Sequence, residues 1–433
     1  METILIEGGR RLAGEVRIGG AKNAALPILA AALLTGEAVR LESVPPLDDV
    51  TTMEEVLTHL GVLVTAAPGG VVKVEAGELK MNEAPYELVR RMRASFLVMG
   101  PLLARRKVAR IALPGGCAIG ARPIDLHLKG FCALGAEVVS GYGYVEARAE
   151  RLHGAEIYLD FPSVGATENL MMAASLADGH TTIVNAAKEP EIVDLATFLN
   201  TLGARVRGAG TDTIRIEGVR ELGGAQHRII PDRIEAGTYL MAVGAAGGEV
   251  AIRNVVARHL EPVIAKAREA GMEIQVESGA EEGENEVLRV RATGTPSPAD
   301  IITLPYPGFP TDLQPPWLTL MTLSTGRAVV TENVFEDRFR HVEALRRMGA
   351  RIRVQGRVAE ITGVARLIGT RVDATDLRAG AALVVAGLAA DGTTEVGRVY
   401  HLDRGYANLE ANLRGLGAAV ERQETPLAAA GSA

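Results

Sequence analysis

Val193-Asp194-Leu195-Ala196-Thr197-Phe198-Leu199-Asn200-Thr201-Leu202-Gly203-Ala204-Arg205-Val206-Arg207 is the stretch that decides the fold. An amphipathic helix runs into a glycine, the expected left-handed cap, and a short β-branched strand follows at once. The same turn, Leu, Met or Ala before Gly-x, with a β-branched residue following, recurs at Gly61, Gly135, Gly203, Gly271, Gly349 and Gly417, at spacings of 74, 68, 68, 78 and 68 residues. Such regularity marks an internal repeat, and six copies set the architecture.

A second element recurs half a repeat away: a helix that is apolar or small on all sides, then a turn, then an alternating strand. Its copies are Asn23 to Leu34, Ala94 to Ala104, Glu168 to Ala177, Glu235 to Ala246, Leu313 to Ser324 and Ala379 to Ala390. A helix without a polar face has to be surrounded by protein. The chain therefore reads as α/β, six equivalent units with three per domain.

With 433 residues, 47% of them hydrophobic, the chain can support two cores. Aromatic residues make up 4% and the net charge is -7, without a long Lys/Arg run, so nucleic acid is not an expected partner. The apolar runs of about a dozen residues fall short of the roughly 20 that cross a bilayer, so no membrane insertion is expected. The start, Met1 to Leu5, reads as a strand without an export pattern, and the two cysteines, Cys117 and Cys132, suit a reducing cytoplasm. Oligomeric state is not legible.

Polar residues of the buried helices gather at their N-termini: Lys22 and Asn23, Arg93, Thr167, Asp232 and Arg233, Asp312, and Arg378. Thr167 and Asp232 are expected to cap. A cation at this end opposes the helix dipole and does not cap, so Lys22, Arg93 and Arg378 are expected to hold a ligand anion. Arg338 and Arg404 stand at comparable turns and suit a substrate carrying carboxylate and phosphate. Asp312 opens a buried helix and reads equally as an N-cap or a general base.

The segment Leu113 to Pro123 is a glycine-rich loop around a thiol, with Gly115, Gly116 and Gly120 about Cys117 and with Arg122 five residues on. A thiol in that setting is placed for reaction. Cys132, on an apolar helix face, is expected to be a small buried hydrophobe. His127 and His341 lack metal-site spacing, so no metal is expected, and Gly19-Gly20-Ala21-Lys22-Asn23 lacks the full phosphate-loop pattern.

These residues resemble the UDP-N-acetylglucosamine 1-carboxyvinyltransferases, sister to the 5-enolpyruvylshikimate-3-phosphate synthases. The resemblance runs from Ile6-Glu7-Gly8 to about Arg422. It rests on Gly20 to Pro27, Pro114 to His127, Ser163 to Thr167, Asp232 to Glu235, Phe309 to Gln314 and His401 to Tyr406. It implies two inside-out α/β barrel domains, 21–230 and 1–20 plus 231–422, each of three repeats with buried helices; the tail at 423–433 has no matching pattern and is expected to be disordered. Pro315-Pro316-Trp317 and Phe161-Pro162 depart locally from the family pattern without removing a catalytic group.

The implied reaction moves the enolpyruvyl group of phosphoenolpyruvate to the 3-hydroxyl of UDP-N-acetylglucosamine, the first committed step of peptidoglycan synthesis, without a cofactor. Cys117 matches the general acid alkylated by fosfomycin, and Asp312 matches the base. Lys22, Asn23, Arg122 and Arg404 would hold phosphoenolpyruvate. Arg93, Arg122, Pro123, Ile124, Asp125, Leu126, Asp312 and the backbone at Val334 would meet the sugar nucleotide. Ser163, Val164, Gly165, Arg338 and Arg378 complete the expected substrate-binding set. The alternative is a catalytically silent paralogue that binds UDP-N-acetylglucosamine and regulates a partner.

Overall fold

The computed structural model describes residues 2–113, 124–279 and 285–424. These form two units, residues 20–113 with 124–230, and residues 2–19 with 231–424. Each of the six glycine turns carries the same pair of hydrogen bonds. Gly203 N–H donates to Asn200 O at 3.0 Å and Ala204 N–H to Leu199 O at 2.9 Å, and the other five repeat the pattern. All six glycines are left-handed, with φ from 89° to 103°, so each helix ends in a Schellman turn that aims the chain into a strand.

Among the described residues six four-stranded sheets result, three in each unit. In every sheet a short strand pairs in parallel with the strand that follows a buried helix, and two antiparallel pairings extend it. Ile301–Thr303, for example, lies parallel to Arg327–Glu332, with the helix Gln314–Thr322 between them in sequence. The helix buries all of its residues from Gln314 to Thr322, and its Pro315 and Pro316 fall in the first turn, where no N–H is missed. The N-terminal strand Glu2–Glu7 supplies the third strand of the last sheet, between Thr393–Gly397 and Ala419–Glu424.

Among the described residues the chain passes between units twice, at the same point of the repeat. Leu12–Arg17 pairs beside Gly248–Val255, yet the chain then leads to the helix Lys22–Ala31. Ala225–Arg228 pairs beside Ala38–Glu42, yet leads to the helix Arg233–Ala246. Each unit thus receives a strand whose following helix belongs to the other.

Small residues permit close approach of the buried helices. A Cβ at Gly237 would lie 2.3 Å from the Leu313 side chain, and one at Gly100 would lie 2.4 Å from the Asn169 carbonyl oxygen. The abundance of glycine is therefore a packing requirement here. Gln423 and Glu424 extend the last strand, contrary to the tail expected from residue 423; residues 425–433 lie outside the described residues. Among the described residues no helix is long and apolar enough to cross a membrane.

Candidate active site

In the unit of residues 2–19 and 231–424, two arginines converge on Asp312. Asp312 occupies a 3-10 turn, Thr311–Leu313, and the cap positions there fall to Pro310 and Leu313, so its carboxylate is not a helix cap. Instead Oδ1 accepts from Arg338 Nη2 at 2.8 Å and Oδ2 from Arg378 Nη2 at 3.0 Å. Both guanidiniums are buried, while a quarter of the Asp312 side chain is open. Burial works against the Arg378 charge, but Asp312, Tyr406 and Asp232 more than offset it and push its pKa up.

Arg378 also donates from Nη1 to Tyr406 Oη at 3.1 Å, and Tyr406 Oη lies 2.9 Å from Thr238 Oγ1. Thr238 spends its own proton on Ile234 O at 2.8 Å, so the Tyr406 hydroxyl donates to Thr238 and accepts from Arg378. Asp376 caps the helix of Arg378 by accepting from Arg378 N–H and Ala379 N–H. Asp232 caps Arg233–Ala246, as expected, by accepting from Ile234 N–H and Glu235 N–H. Arg404 follows the short helix Tyr400–Asp403, half-buried; burial first and then the Arg404 charge hold the His401 pKa down.

In the unit of residues 20–113 and 124–230, Lys22 begins the helix Lys22–Ala31 and donates from Nζ to Asp49 Oδ2 at 3.0 Å, with both side chains buried. Asn23 follows, half-buried. Arg93 begins the 3-10 helix Arg93–Val98, which packs against Lys22–Ala31. Ile124 precedes the helix Asp125–Ala133, on which Asp125 is exposed and Leu126 half-buried. Ser163 caps Val164–Ala174 by accepting from Ala166 N–H, and Val164 and Gly165 form its first turn.

Around this turn His127 is packed edge-on to Phe96, and its Nδ1 lies 3.2 Å from Asn169 Nδ2. Burial first, then the Arg93 charge, push the His127 pKa down to about 4, so the ring is neutral at pH 7. Asn169 Oδ1 accepts from Gly100 N–H at 2.7 Å, and Nδ2 donates to Phe96 O. Deeper in the same unit Glu168 is fully buried, and burial, then Glu191 and Glu189, raise its pKa well above the carboxylate range.

Two expectations are corrected. Thr167 is not a cap: Ser163 takes that place, while the Thr167 hydroxyl donates to Ser163 O and accepts from Ala187 N–H. Cys132 is exposed, because the helix Asp125–Ala133 turns His127, Gly130 and Phe131 inward instead. Cys117, Arg122 and Pro123 lie outside the described residues. Sequence reasoning did not foresee Asp49, Tyr406 and Thr238. The acidic start of the helix after Val44-Pro45-Pro46-Leu47 was the one available signal, for Asp49.

Residues 6–413 match the family described as EPSP synthase (3-phosphoshikimate 1-carboxyvinyltransferase). The chain belongs to the EPSP synthase family. Within that family it is 62% identical, over 98% of its length and 99% of the relative, to UDP-N-acetylglucosamine 1-carboxyvinyltransferase 2 of Carboxydothermus hydrogenoformans. It is 57% identical, over 97% of its length and 99% of the relative, to UDP-N-acetylglucosamine 1-carboxyvinyltransferase 1 of Caldanaerobacter subterraneus subsp. tengcongensis.

Among solved structures, the enolpyruvyl transferase NikO from Streptomyces tendae superposes with a TM-score of 0.87 at 28% identity, covering 98% of this chain and 99% of that one. EPSP synthase from Acinetobacter baumannii superposes with a TM-score of 0.77 at 15% identity, covering 98% and 100%, a likeness of fold alone. The α/β architecture of six repeats with buried helices is thus the enolpyruvyl transferase fold.

Proposed function

We propose that this enzyme transfers the enolpyruvyl group of phosphoenolpyruvate to the 3-hydroxyl of UDP-N-acetylglucosamine, releases phosphate, and so commits the sugar nucleotide to peptidoglycan. The observation that carries the reading is the 54–62% identity, over nearly the full chain, to relatives that bear that enzyme's name. A cytoplasmic location follows from the reaction, since both substrates are cytoplasmic metabolites in this reading.

The residues fit an addition followed by an elimination. The Cys117 thiol protonates the methylene carbon of phosphoenolpyruvate, the adjacent carbon becomes cationic, and the sugar 3-oxygen bonds to it while Asp312 takes the hydroxyl proton. The adduct then returns a methyl proton and expels phosphate, leaving the enol ether. Lys22, Asn23, Arg122 and Arg404 balance the charge of the phosphate and carboxylate.

Arg338 and Arg378 hold the Asp312 carboxylate between them. A substrate anion drawn to either guanidinium competes with Asp312 for the same N–H donors. Arg93, Ile124, Asp125, Leu126, the Ser163 turn and Val334 serve the sugar nucleotide.

Mass spectrometry of the sugar nucleotide after incubation with phosphoenolpyruvate tests the proposal. An enolpyruvyl adduct of UDP-N-acetylglucosamine, formed by the native protein and not after fosfomycin treatment, is expected. Unchanged UDP-N-acetylglucosamine at high enzyme concentration would overturn it.

A further inference from the structure

Glu332 closes the strand Arg327–Glu332 and is fully buried, at a place where the alternation of the strand provides an inward position and an apolar residue would be usual. Its carboxylate gathers three segments. Oε1 accepts from Thr303 Oγ1 at 2.8 Å, from Val334 N–H at 2.8 Å and from Phe335 N–H at 3.1 Å. Oε2 accepts from Thr311 Oγ1 at 2.9 Å. The Thr303 oxygen in turn accepts from Asn333 N–H at 3.0 Å, so three successive amides point inward at this pair.

A buried carboxylate is costly unless its lone pairs are met, and here four donors meet them. Simple core filling would not need that: a leucine or methionine fills the space and leaves no charge to satisfy. The donors are not scattered either. Thr311 is the residue before Asp312, and Val334 is the backbone expected to meet the sugar nucleotide. Because the Val334 N–H is taken by Glu332, a ligand group that bonds this backbone meets the Val334 carbonyl and has to be a donor.

We propose that Glu332 is the positioning residue of the sugar-nucleotide site, one carboxylate that sets Asp312 through Thr311 and the Val334 turn through its amides. This rests on the reaction proposed above. Glu332 acts through its neighbours and does not touch the reacting atoms.

Three variants test it, with the binding of UDP-N-acetylglucosamine followed by calorimetry and turnover followed by phosphate release. Glu332→Ala frees both turns, so sugar-nucleotide affinity is expected to fall about tenfold or more while the KM for phosphoenolpyruvate stays within about twofold, as for loss of charge-assisted hydrogen bonds. Glu332→Gln keeps the reach: its Oε1 accepts from the amides and Thr303, and its amide donates to a Thr311 hydroxyl turned round to accept. It is expected to stay within about threefold of native on that ground.

A folded Glu332→Ala protein that binds UDP-N-acetylglucosamine within about twofold of native, or that weakens both substrates equally, overturns the proposal. Should Glu332→Ala fail to fold, Thr311→Val cuts only the arm to Asp312; it is expected to lower kcat about tenfold with the phosphoenolpyruvate KM unchanged, and an unchanged kcat overturns the proposal. Failure of the reaction itself looks different, since the native protein would then release no phosphate.

Discussion

Replacing Glu235 with glutamine should make the protein more stable in alkaline solution and leave it little changed in acid. Glu235 lies in the first turn of Arg233–Ala246, and its Oε2 accepts from Gly19 N–H at 3.0 Å. Burial first, then Asp232, raise its carboxyl from the ordinary 4.5 to about 8, against the opposing pull of the Gly19 N–H and Arg378. Between those two values the folded protein keeps a proton that the unfolded chain has released. Stability from this group is therefore fully present below about pH 4.5 and is lost as pH rises toward 8.

A displacement of roughly 3.5 pH at about 1.36 kcal/mol each sets a ceiling near 5 kcal/mol, and relaxation around the charge brings the expected effect to about 2–5 kcal/mol. Glutamine cannot ionise and still accepts from Gly19 N–H. Urea unfolding of native and Glu235→Gln protein at pH 5, 7 and 8.5 measures the difference directly. The two should agree within about 1 kcal/mol at pH 5 and diverge with the variant ahead at pH 8.5. Parallel curves across the range, or a variant that is the weaker at pH 8.5, would show that Glu235 is already ionised in the fold and refute the reasoning.

Tyr406→Phe removes the acceptor of Arg378 Nη1 and the donor to Thr238; a loss of about 1–3 kcal/mol in stability and a rise of up to about tenfold in the KM for phosphoenolpyruvate are expected, by urea unfolding and steady-state kinetics. Asp49→Ala takes from Lys22 the buried carboxylate that its Nζ meets; destabilisation of about 3 kcal/mol and weaker binding of phosphoenolpyruvate should appear in the same two assays. Asp312→Asn abolishes the proposed base while its shape is retained, so phosphate release should fall by about 10²–10⁴ with UDP-N-acetylglucosamine binding largely kept.

The repeat was legible because its signals are local. Each of the six glycines sits one residue past a helix cap, and both hydrogen bonds of the turn span fewer than six residues, so the pattern at Gly203 read along the chain is the pattern found in space. Helices such as Leu377–Ala389, apolar or small at every position after Arg378, declared their burial equally well. The cations Lys22, Arg338 and Arg378 were also visible, as charges in places that capping does not explain.

Their partners were not legible, because they are distant in sequence. Thr238 meets Tyr406 across 168 residues, and Arg378 meets Asp312 across 66. Glu332 looks like a surface acid at the end of a strand until Thr303, Thr311 and the two amides are placed around it. At Ser163 and Thr167 the error was one helical turn: both side chains can hydrogen-bond backbone at a helix start, and which of them caps is decided by where the first turn closes. Cys132 shows the limit of a helical pattern over nine residues, where the inward face is set by the neighbouring sheet and helix rather than by the apolar residues alone.

Phosphate release from phosphoenolpyruvate, measured with and without UDP-N-acetylglucosamine and beside the Cys117→Ala protein, tests the central claim most directly. Release that requires the sugar nucleotide and disappears with the thiol is predicted. Tight binding of UDP-N-acetylglucosamine without any phosphate release would contradict it.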